Sequence, residues 1–285
     1  MQRLLCLGYG YTAGAFARRL LRDGWRVAGT TRDAAKAAAM AARGVEPLSW
    51  RNVVDPGKLE DVAVILVSTP PGEHGCPALR AAEAAFASHK GIEWIGYLST
   101  NGVYGDHGGD WVDETSELRA TSPRALKRIA AENAWRSFAR NHDLPLIVFR
   151  LPGIYGPGRS ALDNVRAGTA RRVVKPGQVF SRMHVEDIAS VLAASMGKPR
   201  AFDLYNLADD EPAPPQDVVA YACELLGVEA PPEVAFEDAD LSGMAKSFYA
   251  DNKRVSNQRM KDALDVKLAY PTYREGLRAI LAAEA

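Results

Sequence analysis

The residues best suited to chemistry stand near the start of this 285-residue chain, at Gly8-Tyr9-Gly10-Tyr11-Thr12-Ala13. The apolar run Arg3 to Leu7 leads into them and an amphipathic stretch follows, which is the setting of a strand, a tight turn and a helix. There Gly8 permits the turn, Gly10 lets backbone approach a pyrophosphate, and small Ala13 lets the helix pack on the strand with its N-terminus facing the anion. The expected chemistry is dinucleotide binding, with Gly8, Tyr9, Gly10, Tyr11, Thr12 and Ala13 as the phosphate cradle.

The end of the second strand chooses between dinucleotides. An acidic residue there binds the ribose 2′-hydroxyl of NAD, whereas an arginine suits the 2′-phosphate of NADP. The chain reads Thr30-Thr31-Arg32-Asp33. Arg32 and the two threonine hydroxyls favour NADP over NAD, and Asp33 is placed to N-cap the next helix.

The elements that must position these residues alternate. Short apolar runs at Arg3 to Leu7, Arg26 to Gly29, Val45 to Leu48, Val62 to Val67, Ile92 to Leu98 and Leu146 to Phe149 are separated by helical stretches. Those stretches lie at Ala13 to Arg22, Ala34 to Ala42, Pro77 to His89 and Pro123 to Asn141, the last with Ser122 as N-cap. Such alternation predicts an α/β fold, a Rossmann-type doubly wound parallel sheet with helices on both faces. Beyond Gly153 the pattern changes to a β-like pair at Arg172 to Val174 and Gln178 to Arg182, a helix at Val185 to Met196 and a strand at Phe202 to Tyr205. Helices at Gln216 to Leu226 and Tyr273 to Leu281 follow, and Gly227 to Ala250 carries no readable period. The expected division is a Rossmann domain over 1–155 and 185–206, with a smaller interleaved α+β substrate region over 156–184 and 207–285.

Composition narrows the partners. Lys plus Arg and Asp plus Glu both number 35, so no basic field recruits nucleic acid or acidic lipid. Cys6, Cys76 and Cys223 show no paired spacing, the five histidines no zinc-ligand spacing, and the first apolar run is too short to span a membrane. These features point to a cytoplasmic protein, monomer or homodimer, with a small-molecule substrate and no metal.

Tyr97-Leu98-Ser99-Thr100-Asn101-Gly102-Val103-Tyr104-Gly105 resembles the Ser/Thr-x-x-Val-Tyr-Gly segment of the extended short-chain dehydrogenases, the NAD-dependent epimerase/dehydratase family. Arg150-Leu151-Pro152-Gly153-Ile154-Tyr155-Gly156 is similar to that family's nicotinamide loop, and Arg182-Met183-His184-Val185-Glu186-Asp187 to its His-Val-x-Asp segment. The resemblance implies that Ser68, Ser99, Arg128, Pro152, Gly153 and Ile154 complete the cofactor site. It puts Thr100 on the reacting oxygen, and Arg124, Tyr155, Arg182 and His184 on the substrate side.

The family's Tyr-x-x-x-Lys pair is replaced by Arg124 and Arg128. A guanidinium stays protonated, so Arg124 cannot serve as the base, yet two arginines one turn apart suit an anion. The alternative is that Arg128 merely pairs with Glu132. A proton donor must then come from Tyr104, Tyr155, His107 or His184. The favoured reading is NADP-dependent redox chemistry on a small anionic carbonyl or hydroxyl compound, with catalytic candidates Thr100, Arg124, Arg128 and Tyr104. Alternatives are a non-catalytic NADP(H) sensor and a nucleotide-sugar epimerase or dehydratase.

Overall fold

The computed structural model describes residues 2–53, 55, 59–198 and 202–284. Met1 and Ala285, the outer limits of the expected division, lie outside them. The first half runs β1 (Arg3–Leu7), α1 (Tyr11–Arg22), β2 (Arg26–Thr30), α2 (Ala34–Ala41), β3 (Val45–Leu48), α3 (Trp50–Val53), β4 (Val62–Val67), α4 (Pro77–Ser88), β5 (Trp94–Thr100), β6 (Trp111–Val112) and α5 (Pro123–Asn141). The second half runs β7 (Leu146–Leu151), β8 (Gly153–Tyr155), α6 (Ala161–Arg166), β9 (Arg172–Val174), β10 (Arg182–His184), α7 (Val185–Met196) and β11 (Phe202–Asn206). It closes with α8 (Pro215–Leu226), β12 (Glu233–Ala235), α9 (Gly243–Tyr249), β13 (Arg254–Val255), α10 (Gln258–Leu264) and α11 (Tyr273–Ala282).

Seven strands form one parallel sheet in the order β11-β7-β5-β4-β1-β2-β3, the doubly wound α/β fold that the alternation predicts. Strands buried on both faces carry two sets of apolar side chains. Leu4 and Cys6 of β1 face a core built with α1 and α7, while Leu5 and Leu7 face the other, built with α4 and α5. The direction of winding reverses between β1 and β4, which opens a crevice at their carboxyl ends.

Two readings of the second half need correction. The segments at Arg172 to Val174 and Gln178 to Arg182 are not partners: β9 pairs in parallel with β12, and β10 in parallel with β8. Between them Lys175–Gln178 is a turn, and Phe180 bridges Ala213 instead. The unreadable stretch contains β12 and α9, the latter N-capped by Ser242. Near the C-terminus, α6, α8 and α11 share a cluster around Leu162, Ala222, Tyr273 and Leu277, while Met260 and Leu264 of α10 join the core of the main sheet.

Candidate functional site

The glycine turn sits at the crevice. Gly8 adopts φ +92°, and a Cβ there would come within 2.8 Å of Thr69. Its amide donates to Thr30 Oγ1 at 2.7 Å and its carbonyl accepts from Ser68 Oγ, so β1, β2 and β4 are tied at one point. Helix α1 starts at Tyr11, two residues earlier than the sequence suggests, because Gly10 is its N-cap. No side chain caps that end, and the first turn carries no acidic residue. A Cβ on Gly10 would meet nothing within 4 Å, so the helix N-terminus looks into open space. A dinucleotide pyrophosphate fits such a terminus, with its unsatisfied N–H groups and positive dipole end.

A cavity of about 270 Å³ occupies this place, lined by Gly10, Tyr11, Thr12 and Ala13 from the turn, Ser68 after β4, Ser99 and Thr100 from β5, and Pro152 and Ile154 after β7. Gly8, Tyr9 and Thr30 support the cradle from behind. Tyr9 is buried and packs where a side chain on Gly29 would fall. The Thr30 hydroxyl is engaged by Gly8, the Thr31 hydroxyl accepts from Asp33 N, and Asp33 N-caps α2 through Lys36 N. Arg32 is exposed at the edge of this group and forms no ion pair among the described residues.

A second cavity, about 920 Å³, lies beside the first and shares Thr100, Arg128, Pro152, Ile154 and Arg159 with it. Gly153 and Tyr155 of β8 also line it. Helix α5, started by Ser122 and Pro123, presents both Arg124 and Arg128 to this space. Arg124 lies over the Phe248 ring at 4.7 Å, and Arg128 donates to Leu98 O at 2.9 Å and Tyr97 Oη at 3.1 Å. Arg128 does not pair with Glu132. That carboxylate turns inward to Arg150, accepting from Nη2 at 2.9 Å and Nε at 3.3 Å, and also accepts from Ser99 Oγ.

The proton-donor candidates fare unequally. Tyr104 is fully buried, donates to Asn206 Oδ1 at 2.7 Å and accepts from Arg150 Nη1 at 3.0 Å, and burial pushes its hydroxyl up to about 12. It belongs to the packing beneath β5 and does not line either cavity, which corrects its assignment as a catalytic candidate. His184 is likewise walled off between Tyr155 and Tyr270, where its Nδ1 accepts from Glu186 N as the cap of α7. Burial lowers its pKa to about 4, which favours the neutral imidazole, and it lines neither cavity. Tyr155 reaches the cavity wall, but its hydroxyl donates to Thr272 O at 3.4 Å and burial raises its pKa far above neutrality. His107 is half-buried, its Nε2 3.2 Å from Glu117 O, and lines neither cavity. Thr100 lines both, its Oγ1 accepting from Gly102 N at 3.2 Å as cap of the turn Asn101–Tyr104.

Two further cations line the larger cavity: Arg159, over the Tyr11 ring at 5.7 Å, and Lys253. Arg159 follows directly on the Gly156-Pro157-Gly158 loop, which could have flagged it; nothing in the local sequence marks Lys253. Arg182 on β10 reaches the same space, donating to Ala213 O at 3.1 Å, with Nη1 buried and unpartnered. Among the described residues no three His, Cys, Asp or Glu side chains gather to hold a metal ion, and no helix is long and apolar enough to cross a membrane.

A parallel sheet wound around a glycine cradle, with a larger cavity against it, defines a doubly wound α/β protein whose crevice has the shape of a dinucleotide site. Residues 78–208 match the model of the NAD dependent epimerase/dehydratase family. A functionally unknown conserved protein from Silicibacter pomeroyi is 50% identical over 99% of both chains, with a TM-score of 0.92. The dTDP-glucose 4,6-dehydratase of Bacillus anthracis, in complex with NAD, superposes with a TM-score of 0.76 at 18% identity, over 99% of this chain and 96% of that one. MoeE5, in complex with UDP-glucose and NAD, gives 0.78 at 18% identity over 99% and 98%. The mouse dTDP-D-glucose 4,6-dehydratase is 34% identical over 71 residues, which are 25% of this chain and only 20% of that relative's length. Over residues 78–208, a little under half of its length, the chain is thus similar to the epimerase/dehydratase family, and as a whole it shares the fold of these dehydratase structures.

Proposed function

We propose that the protein carries out NADP-dependent redox chemistry on an anionic carbonyl or hydroxyl compound. The observation that carries this reading is the junction of the two cavities at Thr100, Arg128 and Arg159, beyond which the larger space is walled by Arg124, Arg182 and Lys253. A dinucleotide on the α1 N-terminus would deliver its nicotinamide, a hydride donor or acceptor, toward that junction. The chain's own residues would then do the rest. Arg128 and Thr100 orient the reacting oxygen, Arg124 holds a carboxylate or phosphate, and the apolar wall of Phe180, Phe248 and Tyr249 limits water. Exposed Arg32, with Asp33 committed to capping α2, supports NADP over NAD.

Fluorescence titration with NADPH and NADH, followed by turnover against a panel of 2-oxo acids and phosphorylated aldehydes, tests the reading. Tighter NADPH binding that is lost in Arg32→Ala supports it, and equal affinities for the two cofactors would sink the role of Arg32. A non-catalytic NADP(H) sensor is favoured by one observation, that Arg124 stands where the family has its acid-base tyrosine. The reading as a nucleotide-sugar epimerase or dehydratase draws on the cavity volume of about 920 Å³ and suffers from the same missing tyrosine.

A further inference from the structure

The larger cavity contains a protonatable group to which the reading above gives no part in proton transfer. Lys253 is 8% exposed, and its Nζ donates to Gly105 O at 2.7 Å and stands 3.7 Å from Asp251 Oδ2. Gly105 ends the turn that Thr100 caps, so this ammonium is anchored to the segment that carries Thr100. Both residues line the same cavity.

The chain around Lys253 is held firmly. The neighbouring Asn252 donates its N–H to Asp106 Oδ1 at 2.7 Å and its Nδ2 to Gly177 O at 2.9 Å. It accepts from Val179 N at Oδ1, and from His107 N and Gly109 N at its carbonyl. Two loops far apart in sequence thus clamp one residue, which fixes where Lys253 begins. A lysine used only to satisfy Gly105 O would not need to line a cavity beside Thr100.

We propose that Lys253 is the proton donor and acceptor for the substrate oxygen, the role left open by arginine at position 124. This rests on the redox reading above. In the reductive direction the carbonyl carbon gains a hydride, with its electron pair, from the reduced dinucleotide, and the oxygen takes a proton from Lys253 Nζ. The product is the alcohol, and the neutral amine left behind regains a proton from solvent by way of Asp251, whose side chain is 26% exposed. In the oxidative direction the neutral amine removes the hydroxyl proton as hydride leaves.

The charged and titratable groups around Lys253 are Asp251 on its own loop, Asp106 after the turn, Tyr249 of α9 with Lys175 bonded to its carbonyl, and neighbouring Arg254, while Arg124, Arg128, Arg159 and Arg182 line the same cavity. Burial lowers the lysine's pKa, and Asp251 and Asp106 oppose that shift without reversing it. A lysine whose pKa is lowered gives up its proton more readily than an exposed lysine.

The test uses the full chain and pyridoxal 5′-phosphate, an anionic aldehyde that condenses with neutral amines, trapped with borohydride and mapped by peptide mass. Lys253 should be labelled at pH 7 at least about tenfold faster than the exposed Lys36, with a rate that levels off below the usual lysine pKa. Labelling of Lys253 no faster than of Lys36 overturns the proposal, with or without cofactor present. On whichever panel compound turns over, Lys253→Arg, which keeps a donor for Gly105 O, should lower kcat at least a hundredfold. KM, NADPH affinity and Tm should stay near wild type. A purely structural lysine would be rescued by arginine, so retained kcat in that variant also overturns the proposal. Failure of NADPH binding in the wild type, by contrast, removes the redox reading itself, and the labelling result still reports on Lys253.

Discussion

Replacing Glu132 by alanine should destabilise the protein more than any change among its surface ion pairs. The carboxylate is 2% exposed and the Arg150 side chain 4%, and two guanidinium nitrogens donate to it at 2.9 and 3.3 Å. Without it the guanidinium keeps, among the described residues, one side-chain bond, to Tyr104 Oη, and no counter-charge in a dry environment. Removing one partner of such a pair costs about 3 to 5 kcal/mol, because the stranded charge keeps its desolvation penalty. For a chain of this size, with an unfolding entropy of about 0.6 kcal/mol/K, that corresponds to a fall in Tm of roughly 5 to 8 °C. Ser99 also loses the acceptor that fixes it in the cofactor cleft, so NADPH affinity should fall as well. Urea denaturation and calorimetry measure the first effect. Glu132→Ala/Arg150→Met, which removes both charges, should recover most of the loss, since well-packed apolar replacements of buried pairs are often neutral. A loss below about 1 kcal/mol in Glu132→Ala, the range of an exposed pair, would refute the account of this network.

Gly10→Val should fold normally, because a Cβ there meets no atom within 4 Å, yet lose dinucleotide binding by filling the space above the α1 N-terminus. Wild-type NADPH affinity in a folded variant would place the cofactor elsewhere. Arg124→Ala should weaken a short 2-oxo acid or inorganic phosphate roughly tenfold, one charge-assisted hydrogen bond, while sparing NADPH; Arg128→Ala should weaken both. Competition against cofactor fluorescence reads the two effects, and unchanged anion affinity in Arg124→Ala contradicts the clamp. Burial raises the Asp209 carboxyl to about 8, with the Arg182 charge opposing the shift. The folded chain therefore holds a proton that the unfolded chain has released above about pH 4, and stability falls as pH rises from there toward 8. Asp209→Asn removes that dependence, so its Tm relative to wild type should improve between pH 5 and pH 8.5; a difference that does not change with pH counts against it.

What the sequence discloses depends on how local the physics is. Gly8 and Gly10 are legible because a positive φ and an uncapped helix start are demanded within a few residues, and Ser122-Pro123 announces α5 for the same reason. The pairing of β9 and β10 is not legible, since β-propensity names a strand without naming its neighbour. Helical spacing offers Glu132 to Arg128, but the fold sends it to Arg150, which β7 brings underneath α5. Tyr104 reads as a donor in its motif and becomes a core residue once Asn206 of β11 reaches its hydroxyl. Lys253 carries no local signal at all, because its position depends on Asn252 meeting loops near residues 106 and 178.

The arginines at positions 124 and 128 have a consequence for the lysine across the cavity. Cations that share a cavity with an amine favour its neutral form, so without a bound anion Lys253 should have its lowest pKa. An anionic substrate seated on Arg124 cancels part of that field. The lysine then becomes easier to protonate when a substrate carbonyl is present to receive the proton, and the same residues serve binding and proton supply. In ε-¹³C-lysine NMR the Lys253 resonance, assigned by its absence from Lys253→Arg, should titrate at higher pH when inorganic phosphate is added. In Arg124→Ala the phosphate effect should shrink and the starting pKa should rise. If phosphate leaves the titration unmoved while binding at the cavity, the arginines and the lysine act independently, and the coupling between anion and proton is absent.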